Sequence, residues 1–257
     1  IGESPLGAPL LGVKCGCNEA FIVTRDGGDR DVAHVLSGER QATIERAMLR
    51  PLLRGEQATP WRAAPGEESI IWTHDARGAP LTELPPHAAK WMARWRRRLA
   101  VRSDARSATA WWTLFRTASA SSARARVVWA DMARTPRALV LETGDATVPL
   151  NSCYVVPCER AVDAHALAAL LNSALAAAWL HVLAEPARGG YHRYLGWTMA
   201  LLPLPRDWPR ALALLAPLGE RAMAGAAPDP CELLDAATRA YHLRAADVAP
   251  LIAWAAR

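Results

Sequence analysis

Between Pro85 and Arg137 stand twelve basic residues, Lys90 and eleven arginines, with only Asp104 and Asp131 against them. That stretch carries a net +10 in a chain whose total is +5, so the remainder is acidic. Lys14 and Lys90 are the only lysines, and the positive charge is therefore arginine almost throughout. Arginine's planar fork grips a phosphate or a guanine edge with two parallel hydrogen bonds, which a lysine ammonium does not. A basic block in an otherwise acidic chain is the electrostatic footprint of a nucleic-acid partner. A solvated helix face has the same composition, so charge alone leaves both readings open.

Side chains able to make or break bonds are not arranged for it. A nuclease site of the Asp…Glu-x-Lys kind needs an acid two residues before a lysine, but Lys14 follows Gly12-Val13 and Lys90 follows Ala88-Ala89. No Gly-x-Ser-x-Gly elbow and no His-Glu-x-x-His helix occurs. The five cysteines (Cys15, Cys17, Cys153, Cys158 and Cys231) are odd in number, which favours free thiols in a reducing, cytoplasmic setting. Their spacing does not suit a zinc ribbon or finger. The expectation is a chain with no catalytic residue, metal or cofactor of its own, whose work is binding.

The elements that must carry such a surface follow from patterning. With 257 residues, 51% hydrophobic and 21% charged, the chain has the composition of a globular protein with a sizeable core. Leu10 to Val13 and Ala20 to Val23 flank a small-residue segment, which predicts an opening hairpin turning at Gly16 and Asn18. Thr24 to Asp31 reads as a polar loop, and Ser37 as the cap of a helix carrying Ile44, Ala47 and Met48. Ser69 to Thr73 is a strand. Pro85-Pro86 opens a helix with Ala88, Trp91, Met92, Trp95 and Leu99 on one stripe and arginines on the other side.

Ala118 to Ala125 reads as a mobile loop of small and polar residues, followed by strands at Arg126–Ala130, Ala138–Glu142 and Ser152–Val156. Asp163 is expected to cap the apolar run Ala164 to Ala184, whose Asn172, Ser173 and His181 argue for a buried helix, not a membrane span. Met199 to Pro205 reads as a closing strand. Asp207-Trp208-Pro209 and Pro228-Asp229-Pro230 are helix starts.

Several of these segments match, in order, the landmarks of a known module. Gly12-Val13-Lys14-Cys15-Gly16-Cys17-Asn18-Glu19-Ala20-Phe21 resembles the opening motif of the TaqI-like C-terminal specificity domain, with Cys15 where that family has Thr. Arg50-Pro51-Leu52-Leu53-Arg54-Gly55 resembles its second landmark, although Gln57-Ala58 departs from it. Trp111-Trp112, Val127-Val128-Trp129-Ala130, Asn151 to Val156, Leu170-Leu171-Asn172-Ser173-Ala174-Leu175, Arg188-Gly189-Gly190-Tyr191-His192-Arg193 and Met199 to Pro205 follow in the family's order. The tail from Leu233 to Val248 also resembles the family's, with His242 replacing a glycine.

The resemblance implies a target-recognition domain of adenine-specific (N6) DNA methyltransferases and restriction-modification enzymes, in an α+β fold. A twisted, mostly antiparallel sheet would carry packed helices and a helical C-terminal cap, with residues 1–206 as the recognition domain and 207–257 as a helical extension packed on it. Double-stranded DNA and the catalytic domain of the same parent chain would be its partners, with no membrane. Adenine methylation also needs a glycine-rich cradle for S-adenosylmethionine and an Asn/Asp-Pro-Pro-aromatic motif. The single Pro-Pro pair, in Leu84-Pro85-Pro86-His87, has neither the acceptor nor the ring. The resemblance therefore implies a non-catalytic fragment of a longer methyltransferase, with or without a nuclease, and the start at Ile1 agrees.

Expected DNA contacts are Arg116, Arg124 and Arg126 around the small-residue loop, and Arg188, Tyr191, His192 and Arg193 at the double glycine. Lys14, Asn18 and Arg54 either face the DNA or support the fold. The rival reading is a docking subunit of a restriction-modification complex without DNA affinity of its own.

Overall fold

A computed structural model describes residues 7–103 and 110–255. Asp104 and Arg106 of the basic block lie outside the described residues. The chain begins with β1 (Leu10–Leu11), α1 (Asn18–Phe21), β2 (Ile22–Gly28), β3 (Val32–Ser37), β4 (Arg40–Glu45), β5 (Leu49–Leu53) and β6 (Glu68–Ile71). Helices α2 (Pro86–Ala93) and α3 (Arg96–Ala100) follow. Next come β7 (Ala125–Ala130), β8 (Met132–Ala133), β9 (Ala138–Leu141), β10 (Val148–Pro149) and β11 (Cys153–Cys158). The rest is α4 (Ala161–Leu171), α5 (Ala174–Leu183), β12 (Glu185–Ala187), β13 (Tyr191–Arg193), α6 (Gly196–Ala200), α7 (Trp208–Met223), α8 (Pro230–Ala240) and α9 (Ala245–Ala255).

This is an α+β fold, as expected, but its strands form three sheets. The first runs β10-β5-β6-β2-β3-β4, antiparallel except for the β10–β5 pair. The second is β1-β11-β7-β9, and a small ribbon is β12-β13-β8. Each large sheet has its own apolar cluster. The first is closed by α2 and α3 through Ala88, Trp91, Met92, Trp95 and Leu99, all buried, while Arg94, Arg96, Arg97 and Arg98 stay exposed. The second is closed by α4, with α7 and α8 packed outside it.

The predicted strands at 69–73, 126–130, 138–142 and 152–156 are present. The apolar run is two helices bent by 70°, because Ser173 accepts the Ala176 amide at 3.2 Å and caps α5. Among the described residues no single helix is long and apolar enough to cross a membrane.

Five local expectations are corrected. The opening segment is no hairpin: Leu10 pairs with Val155 and Ile22 with Ile70, so β1 and β2 enter different sheets. Gly12 causes this. Its amide donates to the Cys153 carbonyl at 2.9 Å, and a Cβ there would lie 2.0 Å from the Leu150 oxygen, a backbone contact only glycine permits.

Thr24 to Gly28 belongs to β2, and the turn is confined to Asp29–Asp31, where Asp29 Oδ1 accepts the amides of Asp31 and Val32. The helix expected from Ser37 is the β3–β4 hairpin, turned by Gly38 at φ 58°. Ala33, Val35 and Ile44 fill the core at strand spacing there.

Met199 to Pro205 is not a strand. Met199 in α6 and Leu202 just past its end are both buried, and the Leu202 amide donates to the Met199 carbonyl at 3.1 Å in a closing turn. Asp163 is not the cap of α4 but its third residue; it receives the Arg160 fork at 2.8 Å and the Trp208 indole at 2.9 Å.

Candidate nucleic-acid interface

The double glycine builds an exposed basic feature. Gly189 and Gly190 sit at φ 74° and 75°, a hand that a side chain resists, and reverse the chain from β12 into β13. Ala187 then pairs with Tyr191 and Glu185 with Arg193, while Met132 of β8 pairs with Arg193 from the other side. Strand alternation turns Tyr191 and Arg193 outward. Tyr191 is 40% exposed and Met132 46%, and the Arg134 guanidinium lies 5.5 Å from the Tyr191 ring centre. His192 faces the other way, its ring 4.1 Å from that of His181 on α5. Burial, helped by His181, holds its imidazole below the usual range.

The ribbon is tethered where it leaves the surface. Tyr194 is buried, its amide donates to the Asp131 carbonyl at 2.7 Å, and its own carbonyl accepts the Trp129 indole at 2.9 Å. Arg193 lies near Asp131, whose carboxyl is pushed up by burial against that arginine's opposing pull.

A second group forms where the N-terminal segment meets the chain after the tryptophan pair. Lys14 and Phe115 exchange backbone hydrogen bonds of 3.0 and 3.1 Å, so exposed Lys14 and exposed Arg116 become neighbours. Arg116 adopts φ 60° and starts a short 3-10 turn, Thr117–Ala120, in which Ser119 and Ala120 are buried. The expected mobile loop is thus pinned at its first half. Asn18 is exposed at the start of α1.

The other expected contacts stand differently. Arg54 gives its fork to Glu68, and Arg124 pairs with Glu159 at 2.5 Å. Arg126 is corrected outright. It is 0% exposed and donates to the carbonyls of Ser119, Thr147 and Asp145 at 3.3, 3.0 and 2.6 Å. Burial pushes it down to about 10, and it serves as a strut beneath the 3-10 turn, out of reach of any duplex. Its position beside Arg124 at the head of a strand gave no local sign of this; the pairing of β7 between β9 and β11 decides it.

Sequence reasoning missed Arg134 and Met132. Their signal was the charge count alone, since β8 is two residues long and pairs with a segment sixty positions away.

His74 is buried beside this region, with the Leu114 amide donating to its Nε2 at 3.3 Å. Burial pushes it down to about 4 from the usual 6.5. The unfolded chain therefore binds the proton first, so stability is full above pH 6.5 and declines toward pH 4. Thermal melts across that range should show the midpoint falling with pH, and a shallower fall in His74→Gln. An unchanged slope in that variant would remove His74 from the account.

The five cysteines are free thiols, and burial pushes Cys15, Cys153 and Cys158 up to about 12, where they are inert at neutral pH. In the strand-to-helix turn at the N-terminus, the space at Gly12 and Gly16 is taken by the Leu150 backbone and the Arg102 side chain.

Together the fold and surface define an α+β protein that displays an arginine-rich β-ribbon beside a second basic edge. Among solved structures, the fold is similar to that of the type IIL restriction-modification enzyme MmeI, determined in complex with DNA, at a TM-score of 0.57 and 11% sequence identity. The match covers 99% of this chain and 36% of the MmeI chain, so the protein spans about a third of that enzyme's length. No protein-family model matches the chain, and no curated protein sequence matches it.

Proposed function

We propose that this chain is a sequence-reading DNA-binding domain, the target-recognition part of an adenine-specific restriction-modification methyltransferase of the TaqI-like kind. The observation that carries this is the β12–β13–β8 ribbon. The β12–β13 hairpin is the kind of two-stranded projection that fits the major groove, and with β8 alongside it the sheet presents Arg188, Tyr191, Arg193 and Arg134 at its exposed surface. Among the described residues neither Arg188 nor Arg134 is held by a carboxylate. The likeness to an enzyme solved with DNA, over nearly the whole chain, supports the reading.

In this function Arg188, Arg193, Lys14 and Arg116 neutralise phosphates and fix the register, while Tyr191 and its neighbours meet base edges. Asn18 lies beside Lys14 and joins that edge. Arg54 and Arg124 contribute only if the duplex draws them off Glu68 and Glu159. His192 positions the ribbon through His181 and does not touch DNA. S-adenosylmethionine chemistry, and any cleavage, belongs to a catalytic domain of the parent, joined to the recognition domain of residues 1–206 with its helical extension. Four buried free thiols suit a cytoplasmic setting.

Binding to a randomised duplex pool at several salt concentrations tests this. An enriched short motif with affinity falling steeply as salt rises is expected. Arg188→Ala should weaken all duplexes alike and lower the slope of log affinity against log salt by about one. No binding at low salt would overturn the reading in favour of the docking subunit. Exposed Trp179, which lines an apolar groove with Leu202, Pro203 and Leu243, favours that alternative.

A further inference from the structure

A small polar cavity of about 90 Å³ lies between the turn at Asp75–Gly78 and the segment Thr117–Ser122. Its floor is Arg50 on β5, whose guanidinium sits 4.3 Å from the centre of the Trp72 ring. Arg50 is half-buried and burial presses its charge down, yet among the described residues it has no hydrogen bond and no carboxylate partner. Arg77 lines the opposite wall, also without an acid. Among the described residues the hydroxyls of Ser121 and Ser122, which also line the cavity, make no hydrogen bond. The one carboxylate present, Asp75, has Oδ1 turned to its own turn, where it accepts the Arg77 and Ala79 amides at 2.9 Å each.

Two further donors are unspent, one on the cavity wall at Trp72 and one beneath it at Arg126. The Trp72 indole N–H and the Arg126 Nε–H are both buried with no acceptor. Arg126 lies beneath the same 3-10 turn, close enough for the Arg50 charge to bear on it. Burial presses on both guanidinium groups, with Asp145 pulling the other way on Arg126, and an oxyanion placed beside Arg50 offsets the cost of its desolvation. Cation–π contact holds Arg50 ready, so little ordering is left to do on binding.

We propose that this cavity is a binding site for a tetrahedral phosphoryl oxyanion, held by Arg50 and Arg77 with the hydroxyls of Ser121 and Ser122. The chemistry is that of a DNA backbone phosphodiester or of a free phosphate. The first source rests on the DNA-binding reading, and the second does not. As a duplex contact it would add a phosphate clamp on the edge that includes Arg116, one residue from Thr117.

The whole 257-residue chain, titrated with inorganic phosphate at constant ionic strength, tests the site through its arginine Nε–Hε NMR signals, assigned with Arg50→Lys and Arg77→Lys. Saturable shifts of Arg50 and Arg77 are expected, absent with chloride and weakened about tenfold in Arg50→Met. Circular dichroism verifies that Arg50→Met is folded, and exposed Arg77→Met serves as the second variant. A salt-slope measurement on duplex then assigns the source: a drop of about one in Arg50→Met means a backbone phosphate. An unchanged slope, or no duplex binding by the parent chain, with phosphate still saturable, means a free oxyanion and leaves the site standing. No saturable phosphate shift in the folded protein, with the duplex slope unchanged in both variants, overturns it.

Discussion

Trp129→Ala should lower the stability of the protein by about 3–5 kcal/mol, the cost of emptying a fully buried tryptophan site. Trp129 is 0% exposed near the end of β7, between Tyr154 on β11 and Ala138 on β9. Its ring stacks on Tyr154 with centroids 6.0 Å apart, and its indole N–H is the donor to the Tyr194 carbonyl. The truncation therefore opens a cavity and strands that carbonyl. Because Tyr194 is where the arginine ribbon returns to the core, DNA binding should weaken well below the melting temperature. Trp129→Phe keeps most of the packing and loses the hydrogen bond, so it separates the two effects. Urea unfolding of the three proteins measures both. A loss under about 1 kcal/mol in the alanine variant would mean that the second sheet does not depend on this anchor.

Gly12→Ala should cost about 3 kcal/mol, at the upper end of overpacking effects, although it adds one methyl. The new Cβ would stand 2.0 Å from the Leu150 oxygen and 2.7 Å from that of Pro149, both backbone acceptors already engaged, by the Cys153 and Val13 amides respectively. Neither can withdraw without breaking the contact between the opening segment and the β10–β11 connection. Gly38→Ala is the fitting control. Gly38 has φ 58° with open space around it, so alanine there meets only the strain of the left-handed region, about 1–2 kcal/mol. Thermal melts of the two variants should differ clearly. Equal midpoints would show that the segment shifts to accept the methyl.

Elements with strong periodicity were legible before any coordinates. The stripe of Ala88, Trp91, Met92, Trp95 and Leu99 does bury, and the strands around Val127, Val140 and Val155 lie where β-branched residues concentrate. The helix starts at Asp207 and Asp229 were legible as well, because a cap is a local hydrogen bond: each carboxylate accepts an amide of its own first turn. Failures came where the partner is distant. Leu10 to Val13 read as the first arm of a hairpin turning at Gly16 and Asn18, since nothing near Gly12 announces Leu150. Ser37 looked like a cap, since Gly38 can end a helix as readily as it turns a hairpin.

The site shows the same division. Arg188, Tyr191 and Arg193 could be picked out because the double glycine marks a turn in the sequence itself. Arg126 could not be separated from Arg124, because burial depends on which strand lies alongside. Arg50 was visible only as part of a motif, and its lack of an ion-pair partner among the described residues is a property of the folded neighbourhood.

The sequence by itself determined the α+β class, the buried stripes, the basic excess and the absence of familiar bond-making motifs, since each follows from composition or from residues within a few positions of one another. Tertiary structure alone decided that the strands divide into three sheets, which arginines are struts and which are displayed, and where unspent donors converge. Those are outcomes of contacts between segments as far apart in the chain as Leu10 and Val155, and desolvation acts on the final neighbours of a charge, whatever its place in the chain.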